Sequence, residues 1–404
     1  MKHDTAKHGP LAGLKVIDCS TVLAGPIAAM VFADFGADVV KVEHPDGDAL
    51  RKMGHAKNGH GVWWKVTNRS KRAITLDLHD EAGKAAFLAL VKDADVLVEN
   101  FRTGTLEKWG LGWDVLQAIN PRLVMVRISG YGQTGPYSGR PGFGRIANAF
   151  GGLSYLAGYP DRPPVTPGSA TIPDYLAGIY GAFGALLALR SRDTTGKGQV
   201  VDIGLYEPVF RILDELAPAF DARGFVRERM GPGTVNVVPH SHYPTKDNRW
   251  IAIACTNDKI YERLSDAMAK SDMAPPARWA LLANREKDRA EVDAHVGRWT
   301  ASLPKADVLR ICEEFQVPCG PVYAIDEIFA DPQYAARGNI AHVADPRFGA
   351  GTLAVANVVP RLTETPGGID HLGPPLGVNN AEIFERLLGL SPERIAQMKA
   401  NGAI

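Results

Sequence analysis

Asp174 stands out for its setting. It follows Pro173 and opens the stretch Tyr175, Leu176, Ala177, Gly178, Ile179, Tyr180, Gly181, in which no further charge appears before Arg190. The pattern predicts a long apolar helix over 175–190 with a carboxylate at its head. Two readings of that carboxylate stay open. It is a helix N-cap, accepting backbone N–H bonds and complementing the dipole. Alternatively it is a nucleophile: the helix start keeps it ionised, and nearby glycines let N–H groups approach a developing oxyanion.

Other reaction centres find little support. The eleven histidines are dispersed and no HExxH pair occurs, which argues against a metal centre. No GxSxG elbow is present. Gly130, Gly132 and Gly135 match a GxGxxG spacing, but Pro136 follows at once and no acid stands at the end of a next strand. That segment reads as a loop, and a redox cofactor is not expected. Cys19, Cys255, Cys312 and Cys319 form no CxxC pair and read as free thiols of a reducing compartment.

The bulk properties agree. The 404 residues carry 45 basic and 45 acidic side chains, and 45% are hydrophobic. Such a balance gives no reason to expect nucleic acid or an anionic membrane as partner. The first residues lack the apolar run of a signal peptide, and the apolar run at 175–189 suits a buried helix better than a membrane span. A cytoplasmic protein is expected.

The elements that must position Asp174 alternate. Strands are predicted at 14–18, 37–43, 73–78, 95–100, 123–129 and 200–205, with helices at 24–35 and 81–92 among them. This is the pattern of a largely parallel sheet covered on both faces, with ligands at the carboxyl ends of the strands. The expected class is therefore α/β: a Rossmann-like large domain over 1–222, completed by 335–404. A linker follows at 223–234, then a smaller α+β domain over 235–330. The Pro- and Gly-rich tail suggests wrapping, over the first domain or around a partner chain.

Several segments together resemble the family III coenzyme A transferases, the group of formyl-CoA:oxalate and carnitine CoA-transferases. They are Gly13-Leu14-Lys15-Val16-Ile17-Asp18 with Ala24-Gly25-Pro26, Phe35-Gly36-Ala37-Asp38, Asn68-Arg69-Ser70-Lys71-Arg72, Val98-Glu99-Asn100-Phe101-Arg102, Gly130 to Pro136, and Thr195-Gly196-Lys197-Gly198-Gln199. The resemblance implies two ring-shaped chains threaded into an interlocked homodimer. It also implies that Asp174 attacks an acyl-CoA thioester, giving first an aspartyl anhydride and then an aspartyl-CoA thioester. Coenzyme A is then a substrate, and no tightly bound cofactor is expected.

By the same resemblance, CoA contacts fall on Val22, Leu23, Ala24, His44, Leu76, His79, Asn100, Phe101, Arg102, Lys108 and Tyr131. Leu23 stands where the oxalate enzyme has glutamine, and His79 and Lys108 where it uses lysine and arginine. Oxalate is therefore not the expected acceptor. Arg140, Arg145, His240 and His242 are candidate partners for a second substrate carboxylate. A dicarboxylate acceptor with succinyl-CoA as donor fits them. The related α-methylacyl-CoA racemases are the alternative. They pair the aspartate with an earlier histidine, and 140–145 holds none.

Overall fold

The computed structural model describes residues 9–168, 171–349 and 351–404. The chain divides into two compact units. The first comprises Met1–Ser154, Gly168–Gly224 and Ala336–Ile404, and the second Tyr155–Pro167 and Phe225–Ala335.

The first unit is built on six parallel strands: β1 (Lys15–Asp18), β2 (Asp38–Glu43), β3 (Arg72–Thr75), β4 (Val96–Glu99), β5 (Val124–Ser129) and β6 (Val200–Gly204). Their order is β3-β2-β1-β4-β5-β6. The chain winds outward from β1 in both directions, so the order reverses between β1 and β4, where doubly wound sheets open a crevice for ligands. The strands are short runs of Val, Ile, Leu and Met, buried on both faces as parallel strands require. This is the expected α/β architecture.

One face is covered by α1 (Ala24–Asp34) and α4 (Ile172–Thr195), with α3 (Gly144–Phe150) packed beside α4. The other is covered by α2 (Glu81–Val91) and by Ile383, Phe384 and Met398 from the tail. Residues 356–374 also run back over the segment around residues 64–73. Arg69 bonds both oxygens of Asp34 and the carbonyl of Ala356, and the Lys65 ammonium reaches Gly373 O. Asn379 and Asn380 lie along the outer edge of β3, where their side-chain oxygens take the N–H groups of Ala73 and Thr75, each at 2.9 Å. An open sheet edge is thereby closed with side-chain amides.

By length and composition α4 could cross a membrane; one face of it is laid on the sheet along a row of glycines. A Cβ at Gly178 would stand 2.6 Å from Ile27 Cγ2 and 2.9 Å from the carbonyl oxygen of Ala24. One at Gly184 would meet Val201 Cγ1 at 2.7 Å. These absent side chains let α4 approach both α1 and β6.

The second unit holds a three-stranded antiparallel sheet of His240–Pro244, Trp250–Ala254 and Cys319–Pro321. Helices Asp258–Ala269, Arg289–Ala301 and Lys305–Glu314 share its core, which centres on Trp299, Tyr243, Ile251 and Leu264.

Gly178→Ala tests the glycine contact. Alanine favours a helix by about 1 kcal/mol, but the added methyl meets backbone oxygen and a packed isoleucine, and overpacking wins by about 1–3 kcal/mol. Urea unfolding is expected to show a net loss of stability with an unchanged m-value.

Candidate active site

The helix carrying Asp174 begins earlier than its apolar pattern suggests. Thr171 is the N-cap and makes no side-chain capping bond, and Pro173 falls within the first turn. Asp174 is therefore the third helical residue, so the N-cap reading does not hold. The carboxylate is half-buried and takes a bond from its own N–H, which lowers its pKa. Burial outweighs that bond and pushes the pKa up to about 6. The group stays largely ionised at neutral pH, yet it is more basic than an exposed aspartate. That combination suits a carboxylate nucleophile.

Gly144, the first residue of α3, faces this carboxylate. A Cβ there would collide with Asp174 Oδ2 and stand 3.3 Å from Cγ. The loop after β5 brings Gly144 into place by folding back on itself: a Cβ at Gly142 would lie 2.9 Å from Gly130 Cα. Residues 130–143 form no helix or strand, as the loop reading expects. Gln133 N–H donates to both oxygens of Asp202, and Arg102 donates to Gly139 O at 2.9 Å. Tyr131 packs edge-on against Tyr137 and Phe150, and the Arg140 guanidinium lies 3.7 Å from the Tyr137 ring centroid.

A pocket of ≈ 260 Å³ opens at the carboxyl ends of β1, β2 and β3 and just beyond β4. Val22, His44, Leu76, His79 and Phe101 meet there. Leu23 and Ala24 are buried residues of the adjoining turn. Asn100 clasps Thr21, accepting from its N–H and donating to its carbonyl, both at 2.7 Å. This closes the crevice between β1 and β4 from one side. Both histidines face acids: His44 Nδ1 is 3.3 Å from Asp46, and His79 Nδ1 is 2.9 Å from Asp77.

Lys108 is exposed on a short helix, Thr105–Lys108, and does not line the pocket. Its neighbour Trp109 does, with its ring edge-on to His79 and Phe101 at 4.6 and 5.1 Å. Trp109 and Asp48 were not singled out from the sequence, and neither was Gly144. A tryptophan beside the expected Lys108 and a glycine inside the 140–145 stretch were the available signals. Arg145 is exposed in the first turn of α3, directly after Gly144. His240 and His242 belong to the second unit, where His240 Nδ1 is buried without a partner among the described residues.

The pocket and Asp174 are joined through the turn after β1. Gly25 lies against Asn100, and Ala24 O lies against Gly178, one helical turn beyond Asp174.

The model of CoA-transferase family III matches residues 11–380. The chain belongs to the family III CoA-transferases. This CoA-transferase is 48% identical over 398 residues to the succinyl-CoA–L-malate CoA-transferase alpha subunit of Chloroflexus aurantiacus, covering 98% of this chain and 92% of that one. It is 43% identical over 397 residues to the succinyl-CoA–D-citramalate CoA-transferase of the same organism, covering 98% of both chains. Among solved structures, a CAIB/BAIF family protein from Brucella suis superposes with a TM-score of 0.84 at 34% identity, covering 94% of this chain and 100% of that one. The transferase is accordingly an enzyme that uses CoA thioesters.

Two predictions follow from the carboxylate's surroundings. Gly144→Ala pushes Asp174 aside, and a misplacement of about 1 Å costs on the order of 100-fold in turnover. kcat is expected to fall accordingly, with thermal stability little changed. The second concerns pH. Because the folded pKa, about 6, exceeds the ordinary 3.8, the folded state binds the proton more tightly. The ionised group therefore destabilises the fold above pH 6, and that penalty disappears as pH falls toward 4. Asp174→Asn is expected to be more stable than the parent at pH 8 by roughly 1–3 kcal/mol, with the gap closing near pH 4 in unfolding titrations.

Proposed function

We propose that this transferase moves coenzyme A from succinyl-CoA to a small dicarboxylic acid, with Asp174 as the covalent carrier. The donor and acceptor classes are supported by the names of the two Chloroflexus relatives, both of which use succinyl-CoA and a dicarboxylate. The carrier is supported by one observation above the others: a half-buried carboxylate of raised pKa with the open face of Gly144 against it.

In this reading Asp174 attacks the thioester carbonyl, and the C–S bond breaks to give a succinyl–aspartyl anhydride and CoA thiolate. The thiolate attacks the aspartyl carbonyl and releases succinate, leaving an aspartyl-CoA thioester. The acceptor carboxylate attacks that carbonyl, forming a second anhydride and again freeing the thiolate. Attack of the thiolate on the acceptor's acyl carbon yields the new acyl-CoA and restores Asp174. Each intermediate keeps the acyl group activated, so one difficult exchange becomes several easier ones without ATP. Water must be kept from the anhydride throughout, which a half-buried carboxylate beside an apolar helix favours.

The pocket at the strand ends receives part of the CoA, against Val22, His79 and Phe101. Arg145 and Arg140 are the candidates for the acceptor's far carboxylate. Arg145 directly follows the residue that faces Asp174, which favours it. We also propose a dimer of this chain. On α4, Ile179, Phe183 and Leu187 are 53%, 55% and 56% exposed, and Phe143 and Phe210 are also bare. A surface this apolar calls for a partner.

Chemical trapping tests the carrier. Protein turning over succinyl-CoA is quenched with hydroxylamine or borohydride, and its peptides are weighed. The adduct is expected on Asp174, and Asp174→Ala is expected to abolish both adduct and transfer. Continued CoA exchange with position 174 unmodified overturns the reading.

A further inference from the structure

We propose that Asp48 is a positioning residue for the reaction. Its buried carboxylate holds Val22 in a left-handed backbone conformation and so shapes the turn between the CoA pocket and the helix of Asp174. The inference rests on the reading that this pocket receives part of the acyl-CoA.

Val22 has φ = 61°. For a β-branched residue this region is sterically disfavoured, and it persists only where the surroundings dictate it. Here the surroundings are specific. The Val22 N–H points at the Asp48 carboxylate, with its nitrogen 3.0 Å from Oδ2 and 3.3 Å from Oδ1. With Val22 relaxed to negative φ, that N–H turns away and the carboxylate loses a donor.

The carboxylate itself is rigidly mounted. Asp48 N–H donates to Glu43 Oε2 at 3.0 Å, and Oδ1 also accepts from Leu50 N–H at 2.8 Å. Lys41 Nζ lies 3.8 Å from Oδ2, and both side chains are buried. Glu43 is gripped by the Arg51 fork through two bonds of 2.7 Å, and Arg51 in turn stacks 3.6 Å over Trp64. The chain Trp64–Arg51–Glu43–Asp48–Val22 thus runs from the core to the pocket wall.

The rest of the turn is anchored from other directions. Lys41 donates to Ser20 O, Asn100 clasps Thr21, and Lys71 donates to Pro26 O at 2.8 Å. Val22 is where the backbone must bend between these anchors. Its own side chain lines the pocket, while Ala24, two residues on, rests against α4 at Gly178. A change in φ at Val22 therefore moves the pocket wall and the seat of the Asp174 helix together.

A merely structural role for Asp48, capping the short helical turn Ala49–Lys52 and balancing Lys41, predicts something different. Such a role is indifferent to the residue at position 22. The positioning role is not, because glycine adopts positive φ without help.

The test is a double-mutant cycle read by steady-state kinetics with succinyl-CoA. Asp48→Asn is expected to raise KM for the thioester roughly tenfold, equivalent to about 1.4 kcal/mol, with a smaller fall in kcat. In the Val22→Gly background the same substitution is expected to change KM by less than about threefold. Equal penalties in the two backgrounds overturn the proposal. Phe101→Asp, elsewhere in the pocket lining, separates this from the pocket reading. An unchanged KM there removes the pocket, whereas a raised KM there with an unaffected Asp48→Asn removes only the positioning role. Should Asp48→Asn not fold, amide exchange of the unaltered protein decides. Slow exchange at Val22 N–H supports the anchor, and exchange as fast as an unstructured amide overturns it.

Discussion

Below the turn that leaves β1, three charged side chains share one dry space. Asp18, Lys41 and Lys71 are completely buried. Lys71 Nζ is 2.8 Å from Asp18, and Lys41 Nζ is 3.5 Å away. Burial alone would raise the Asp18 pKa, but the two ammonium groups outweigh it and hold it low. Burial pulls Lys71 the other way, to about 8, against the attraction of Asp18. None of the three is comfortable without the others, since removing one partner of a buried pair typically costs about 3–5 kcal/mol. Their spare hydrogen bonds go to Ser20 O, Pro26 O and Asn68 Oδ1, which fixes where β1 ends and α1 begins. The crevice, its pocket and the bed on which α4 lies all follow from that one junction.

The proposed nucleophile is set by a competition. A helix start favours the charged carboxylate, and withdrawal from water favours the neutral one. Withdrawal wins, so Asp174 sits near the boundary of ionisation instead of deep in its charged state. Gly144, at the start of α3, faces this carboxylate with no side chain of its own. At Gly144 a side chain would collide with the carboxylate itself. A residue that merely capped the helix would not need Gly144.

Much of this was readable in the linear chain. Five of the six strands appear within one residue of their expected ends and the third stops three residues early, because short apolar runs separated by amphipathic helices leave few alternatives. The start of α4 was less legible. The apolar run begins at Tyr175, but Pro173 is tolerated in a first turn, so the helix extends back to Ile172 and carries Asp174 inside it. The segment between β2 and β3 was not legible at all. Its short helical turn, small hairpin and helix Val62–Thr67 have no periodicity to reveal them. They are held by side chains reaching far along the chain, as Trp64 reaches Pro374. Asp48 gains its significance only from Val22, 26 positions earlier. Gly144 likewise means nothing until Asp174 is placed against it. Contacts of this kind leave no local pattern, whereas strand ends such as His44 and Phe101 can be named from topology alone.

The closure of β3 by Asn379 and Asn380 bears on how the molecule is made. The first strands leave the ribosome some three hundred residues before the amides that cover their edge. Asp77, just past β3, takes its backbone partner from Ala403. Throughout most of synthesis, then, a nascent sheet exposes a bare rim and an uncovered face, the state most prone to wrong pairing. The order of translation runs against the order of assembly, since this rim stays bare until the segment around Asn379 and Asn380 has emerged.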